Sequence, residues 1–552
     1  MSERVPASPR APARVRTVGM GALTAVTEQP RLAGPLSASV ADLCRRLRPQ
    51  VGARTAAGFD EVLRRLASPL QVAVAGRIKS GKSTLVNALI GRRVAPTAVG
   101  ECTRLVTRFR YGTVDRVEVV RTDGSTQVLP FSSDGMIPES LGVELDTVSH
   151  VEVYLTNAIL QGMTVIDTPG LGSLDAASAR RTEELLAGGE TGSDGAGGDD
   201  GVGPGTGELD ETSRNAVAGA EAVLYVVTQH VRADDQQALA AFTAATANAE
   251  AGPVNAIAVL NKADTVVPDS VDGAGGDVWK AASLLAERQA TALRPRVADV
   301  LPVVGLLAES AESGGFTSAD AESLRLLAGL ADEDLETMMM SADIFTAWEC
   351  DVPAGTRARL LERLDLYGIR RCVDAIRRQP DITAGALRRV VLDASGLEAV
   401  RSRLDTVFAA RADGIKAAAA LASVTALADS SNDPVERSRV HDAIEVLLAR
   451  PEAHQLRMLE ALTLVVSGAV EMPRDLTDEI LRVGSNADTG ERLGMPGAGA
   501  AELTEHALER AGWWRSFASF GATPAQGRVA HVVHRTYFLI WQQLRGSGTQ
   551  GG

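Results

Sequence analysis

Lysine is almost absent from this 552-residue chain: 51 of its 56 basic residues are arginine, and lysine stands only at Lys79, Lys82, Lys262, Lys280 and Lys416. Arginine is a rigid planar fork and lysine a compact point charge on a flexible stem, so a chain with this bias keeps lysine where a fork does not fit. Cysteine is scarce too. Cys44, Cys102, Cys350 and Cys372 are scattered singly, which excludes metal-type spacing, and no signal peptide opens the sequence, so the cytosol is the expected compartment. No apolar run approaches the roughly 18 residues that cross a bilayer, which makes any membrane contact peripheral. The longest uncharged apolar stretches, 417–428 and 461–470, are Ala-rich or short and read as buried helix. Basic charge is in deficit, with a formal net charge of −14, and this disfavours wholesale nucleic-acid binding. The length and a 45% hydrophobic content suffice for two or three domains with real cores.

Against those absences stands Gly76-Arg77-Ile78-Lys79-Ser80-Gly81-Lys82-Ser83-Thr84, set between the apolar run 70–75 and a helix-like LVNALI. It reads as strand, phosphate-binding loop and helix. The glycines let backbone N–H groups wrap an anion, Lys82 reaches the β/γ oxygens, and Ser83 can hold Mg²⁺. Gly76, Lys79, Ser80, Gly81, Lys82, Ser83 and Thr84 are thus the expected phosphate site of a nucleoside triphosphate.

Asn261-Lys262-Ala263-Asp264 follows the apolar run 255–260. A carboxylate at Asp264 accepts from both N1–H and the 2-amino group of guanine, a donor pair adenine lacks, which argues for GTP. Lys262 can lie along the base, and Asn261 can tie this segment to the phosphate loop. For the guanine O6 the expected contact is the loop after 301–304, at Gly305 and Leu306. Between these motifs, Val165-Ile166-Asp167-Thr168-Pro169-Gly170 is an apolar strand ending in an acid and a glycine. Asp167 is placed to hold Mg²⁺ through water, and the Gly170 N–H to follow the γ-phosphate. Thr103, 20 residues after Ser83 in a polar loop, is the expected switch threonine closing over Mg²⁺.

Leu171 follows Gly170 where small switch GTPases carry a water-orienting glutamine, so another group must place the water and hydrolysis is expected to depend on assembly. Lys79, inside the phosphate loop, is expected to face the β/γ bridge and offset transition-state charge.

The order of these motifs, together with GRIKSGKST, Glu101-Cys102-Thr103-Arg104, DTPGLGS, NKAD, PVVGLLAE and LLERLDLYGIRRCVDAI, resembles the dynamin superfamily, specifically bacterial dynamin-like proteins of actinobacteria, over about 36–544. The resemblance implies an α/β P-loop GTPase domain, a mostly parallel sheet flanked by helices, plus an elongated all-α neck or stalk built from N- and C-terminal helices. It also implies GTP/GDP and Mg²⁺ as ligands, self-association through the GTPase domain, a paralogous dynamin-like partner, and peripheral lipid contact on the inner face of the cell membrane. At the position matching Lys79 the eukaryotic dynamins carry a cation-coordinating serine and guanylate-binding proteins an arginine finger. Lysine departs from both, and Ile78 replaces the family's glutamine.

Composition divides the chain further. Residues 1–35 are rich in Pro, Ala and Arg without periodicity and are expected to be a disordered tail. Residues 36–68 read as two amphipathic helices joining the neck; residues 1–70 hold 11 basic and 5 acidic side chains, net +6, a solvated face or a lipid-facing patch. The GTPase domain is placed at 69–312, interrupted by a Gly- and Asp-rich insertion at 188–212, with a helical domain at 313–552. Apolar spacing from 384 to 428 predicts one long helix, with Gly396 and Gly414 as bending points, and 484–499 reads as a glycine-rich break. Trp513, Trp514, Phe517 and Phe520 cluster near Arg510 and Arg515, as a lipid-interface motif or a bundle corner. Function is then expected to be a GTPase with assembly-stimulated turnover that binds, tethers or remodels membranes, in cell division for instance. The residues leave open a GTP-dependent scaffold acting on protein partners, while an RNA-directed GTPase would need a basic C-terminal module that is not visible.

Overall fold

The structure, a computed structural model, describes residues 32–548 apart from 78, 97–104, 139, 170–219, 230–238, 240–254, 294–295, 298, 406–407, 409–410, 467 and 487. The expected switch residues Thr103, Gly170 and Leu171, Ile78, the 188–212 insertion and most of the N-terminal tail lie outside the described residues. Of that tail, Leu32 packs on a helical core and Pro35 opens a helix, so order begins before residue 36.

Among the described residues nine strands form one sheet: β1 Leu70–Gly76, β2 Thr107–Tyr111, β3 Arg116–Arg121, β4 Thr126–Leu129, β5 Val148–Leu155, β6 Met163–Asp167, β7 Ala222–Val227, β8 Ala256–Asn261 and β9 Val300–Val303. Their order is β4-β3-β5-β2-β6-β1-β7-β8-β9. Strands β6, β1, β7, β8 and β9 run parallel, and β7 and β8 are buried throughout, as strands covered on both faces must be. Antiparallel pairing begins at β2 against β6 and continues through β3 with its neighbours β4 and β5. Because β1 lies between β6 and β7, the chain leaves the sheet centre at Gly76 with the ends of β6 and β8 close by. That topology gathers the phosphate, metal and base segments at one sheet edge.

One sheet face packs on the Lys82–Ile90 helix, and the other on Ala286 and Leu293 of the Val278–Leu293 helix. The Gly305–Glu312, Ser318–Ala328, Ala354–Arg378 and Ala384–Ser395 helices share a third core. At the N-terminal side Pro35–Leu47 and Ala53–Ala67 pack against Ala412–Asp429 and Pro434–Leu448. Polar groups fix that joint: Asp413 accepts from the N–H groups of Leu36 (3.0 Å) and Ser37 (2.8 Å), and Glu436 from Gly52 N–H (2.7 Å) and Thr55 Oγ1 (2.5 Å). Lys416 is buried there and donates to the Arg65 carbonyl at 2.7 Å. Four C-terminal helices, His454–Val466, Arg474–Ser485, Ala500–Ser516 and Pro524–Gly548, form a separate core around Trp514 and Tyr537.

The expected long helix over 384–428 is broken at Gly396, between Ala384–Ser395 and Leu397–Leu404, and Ala412–Asp429 is helical further along. Gly396 takes φ 73° and ends the first. A continuous helix would need right-handed torsions at this residue, whereas here it is left-handed and a Cβ on it would run into Trp279 and the Pro302 carbonyl. Gly414 lies in the first turn of Ala412–Asp429. The 484–499 break also contains a short helix, Thr489–Leu493, begun by Asp488 accepting from Glu491 N–H at 2.9 Å.

Candidate functional site

Glycine at two positions makes the phosphate loop possible. A Cβ at Gly76 would stand 2.5 Å from the Val226 carbonyl oxygen, and one at Gly81 2.2 Å from Asn261 Nδ2, so neither position has room for a side chain. Gly81 takes φ 89° and opens the Lys82–Ile90 helix, whose first N–H groups face the loop. Lys79 is exposed and left-handed at φ 62°. Lys82 is buried and donates from Nζ to the Arg77 carbonyl at 3.0 Å. Burial lowers its pKa, opposed by the charge of Asp167.

Ser83 Oγ donates to Asp167 Oδ2 at 2.9 Å, and Asp167 Oδ1 is buried without a hydrogen-bond partner among the described residues. Burial pushes the Asp167 carboxyl up to about 6, with Lys82 and Ser83 acting the other way. A half-buried serine–carboxylate pair with one buried, orphaned oxygen, beside a loop shaped for phosphates, fits Mg²⁺, which takes one or two protein oxygens and completes its shell from phosphate and water. Thr168 pins this strand end to β1, its Oγ1 donating to the Val74 carbonyl at 2.9 Å.

The base segment begins at the end of β8. Asn261 Nδ2 donates to the Ser80 carbonyl (2.8 Å), while Asn261 Oδ1 accepts from the N–H groups of Gly305 and Lys262, both at 2.9 Å. Sequence order alone suggests the tie to the phosphate loop; the tie to Gly305, which joins both base loops, has no sequence signal. Lys262 takes φ 58° and is exposed, and Leu306 follows Gly305 at the start of its helix. The Asp264 carboxyl is pushed up to about 6, first by burial and then by the charge of Asp365. Behind these loops Asn87 Nδ2 donates to Glu309 Oε1 at 2.7 Å, linking the phosphate-loop helix to the helix that starts at Gly305.

Lys79, Lys82, Ser83, Asp167, Asn261, Lys262, Asp264, Gly305 and Leu306 therefore lie on the loops and helix starts at one edge of the sheet. A model of the dynamin family matches residues 72–263, which spans β1 to the base segment. Across 475 residues the chain is 31% identical to the isoniazid-induced protein IniC of Mycobacterium tuberculosis, covering 83% of this chain and 86% of that protein. The chain belongs to the dynamin family. This dynamin-family protein is a GTPase, and the nucleotides its site takes are GTP and GDP. A shorter match, 34% identical over 116 residues, joins 19% of it to 17% of the bacterial dynamin-like protein of Nostoc punctiforme. A solved chain from an oligomerised bacterial dynamin pair, described as a mechanism for long-range sensing and tethering of membranes, aligns over 92% of this chain and 75% of its own. The identity is 11% and the TM-score 0.32, a likeness too loose to carry an argument.

Proposed function

We propose that this GTPase hydrolyses GTP with Mg²⁺ held by Ser83 and Asp167, and that it couples turnover to membrane binding and tethering. The observation that carries the chemistry is the half-buried Ser83–Asp167 pair with its buried, orphaned oxygen beside Lys82. Bound there, Mg²⁺ neutralises charge on the β- and γ-phosphates. The protein's own share is positional. Lys82 leaves the Arg77 carbonyl for the phosphate oxygens, the N–H groups at the start of the Lys82–Ile90 helix hold the β-phosphate, and Asp264 selects guanine with Gly305 and Leu306 beside the O6. Lys79 supplies a positive charge from the loop, and Thr103 and Gly170 close over the γ-phosphate.

The proposed organisation is a nucleotide domain at 69–312 with the remaining helices, including 36–68, as the mechanical part. Self-association through nucleotide domains, with a second copy or a paralogous chain, then completes the water-placing groups that Leu171 cannot supply. Among the described residues no helix is long and apolar enough to cross a membrane, and the proposed lipid contact is peripheral, at the inner face of the cell membrane. It lies at the turn of the hairpin formed by Ala500–Ser516 and Pro524–Gly548, where Phe520 is 94% exposed. A role in cell division is one process such an activity would serve.

GTP turnover of the parent and Lys82→Ala, each with and without anionic liposomes, tests the reading. The parent should hydrolyse GTP, sediment with the liposomes and turn over faster as its concentration rises, and Lys82→Ala should lose turnover. A parent that hydrolyses GTP but never sediments with lipid would point to a scaffold acting on protein partners.

A further inference from the structure

The Pro35–Leu47 and Ala412–Asp429 helices meet His454–Val466, Arg474–Ser485 and Pro524–Gly548 around a cavity of about 450 Å³. Protein interiors are close-packed, with few voids larger than a water molecule, so a space of this size is not slack packing. Its walls are tight where they touch. A Cβ on Gly414 would come within 2.7 Å of Leu459 Cδ1, one on Gly484 within 2.7 Å of Met458 Cε, and one on Gly34 within 2.6 Å of the Asp413 carboxylate, and each of these residues lines the cavity. The lining runs out to the exposed Glu452, Gln455 and Gln543. None of it belongs to the nucleotide site or to the turn at Phe520.

Two arginines give the cavity its charge. Arg492 is half-buried; its Nε donates to the Val483 carbonyl at 3.0 Å, and its two Nη groups make no hydrogen bond among the described residues. Burial lowers its pKa, opposed only by Tyr537 and by no carboxylate. Arg411, beside the start of the Ala412–Asp429 helix, is buried, and burial with the charge of Arg403 brings its pKa down to about 10. The acids of the lining are placed elsewhere: Asp413 is engaged by the N–H groups of Leu36 and Ser37, and Glu452 stands at the exposed side. His454 bonds Thr536 Oγ1 at 2.9 Å, and burial, with the charges of Arg535, Arg457 and Arg492, pushes it down to about 4, so it is a neutral polar group in this wall. A guanidinium that lines a cavity with its fork unoccupied offers a carboxylate or phosphate two parallel bonds. Met458, Val483, Leu539 and Ile540 make another part of the lining apolar.

We infer that this cavity binds an amphipathic anion, whose carboxylate or phosphate head takes the Nη groups of Arg492 with Arg411 adding charge, and whose apolar chain lies along Met458, Val483, Leu539 and Ile540. Cavities that hold small organic ligands run about 300 to 1,000 Å³ and combine apolar walls with a few polar anchors, which is the pattern here. Because the lining comes from both sets of helices, the bound anion joins the Pro35–Leu47 core to the core around Trp514 and Tyr537.

Calorimetry on the full chain, with the nucleotide site saturated by GDP, tests this with sodium decanoate, decyl phosphate, decanol and inorganic phosphate. One of the two charged chains should bind at a single site, about tenfold or more tighter than decanol and than inorganic phosphate. Decanoate as the tighter of the two identifies a carboxylate, decyl phosphate a phosphate. Arg492→Gln should weaken the tighter probe about tenfold or more, and Leu539→Trp, which fills the apolar part and leaves both arginines in place, should weaken it by a similar factor. A parent-like thermal midpoint and GTP turnover report that each variant is folded. The inference is overturned if neither charged chain binds the parent at about 1 mM, if decanol or inorganic phosphate binds as tightly as the charged chains, or if both variants keep the parent's affinity. The probe series on the parent decides even where a variant does not fold.

Discussion

Asn261 ties the base segment to the phosphate loop by one bond, from its Nδ2 to the Ser80 carbonyl at 2.8 Å. Its other side-chain atom, Oδ1, accepts from Gly305 N–H, so a single amide holds three loops in register. Gly81 lies so close to that amide that it accepts no side chain. A bridge of this kind positions both ends of the nucleotide without touching the base.

Asn261→Ala should therefore weaken GDP and IDP equally, by about 1 to 3 kcal/mol, the cost of leaving buried donors and acceptors without partners. Calorimetry on the two nucleotides checks this. A loss confined to GDP would mean that Asn261 reads the base directly.

Asp264 makes guanine recognition pH-dependent. Its carboxyl, raised to about 6 chiefly by burial, binds a proton in the folded state through the interval from its ordinary 3.8 up to about 6. Only the ionised form accepts two donors, so GDP affinity should be full above about pH 6 and fall as pH drops through it. Stability of the nucleotide-free protein runs the other way: a raised acid contributes stability that is present at low pH and lost as pH rises through the folded-state value. Asp264→Asn should remove the Asp264 share of both profiles and leave that of Asp167, whose carboxyl is also raised to about 6, measured as GDP binding and as denaturant midpoints between about pH 4 and 8. A parent GDP affinity that is level across that range would contradict the assignment.

The segments of the candidate site were legible because each follows an apolar run that reads as a buried strand: 70–75 before the phosphate loop, 165–166 before Asp167, 255–260 before Asn261. Runs buried on both faces leave few alternatives. Legibility failed where backbone geometry decides. Apolar spacing continues through Gly396, so the sequence marks it as a bend in one helix and not as the left-handed turn that ends a helix there, against Trp279 and Pro302 from distant parts of the chain. The break at Asp365 was equally hidden, since an aspartate inside LLERLDLYGIRR reads as a solvated helix position, while Arg363 and Gly368 on either side of it meet Ser310 and Leu307, more than 50 residues away.

Gly396 provides a test of that hidden geometry. A Cβ there would stand 2.5 Å from Trp279 Cη2 and 2.6 Å from the Pro302 carbonyl oxygen, in a residue whose φ is 73°. The left-handed conformation alone costs an L residue about 1 to 2 kcal/mol, and the backbone carbonyl cannot rotate aside as a side chain would. Gly396→Ala should lower unfolding free energy by about 2 kcal/mol or more in a denaturant titration. Loss of less than about 0.5 kcal/mol would show that the helices can fuse across this residue.

At the far hairpin the four clustered aromatics divide their roles. Trp514 is buried and donates from Nε1 to Glu479 Oε1 at 2.9 Å, which makes it a core residue. Trp513 stacks on Phe517 with centroids 5.4 Å apart and lies under Arg510, 4.4 Å from the ring, while Phe520 projects from the turn 94% exposed. An aromatic at a turn, with Arg515 close by in sequence, suits the boundary of an anionic bilayer. Burying a phenylalanine side chain is worth about 1.5 to 3 kcal/mol, so Phe520→Asp, which also adds a charge of the wrong sign, should cut co-sedimentation with anionic liposomes about tenfold or more. Turnover without liposomes should stay at the parent's rate, since the turn belongs to a core separate from the nucleotide site. Unchanged sedimentation of Phe520→Asp would place the lipid contact elsewhere, with the basic N-terminal 70 residues next to be tested by charge reversal.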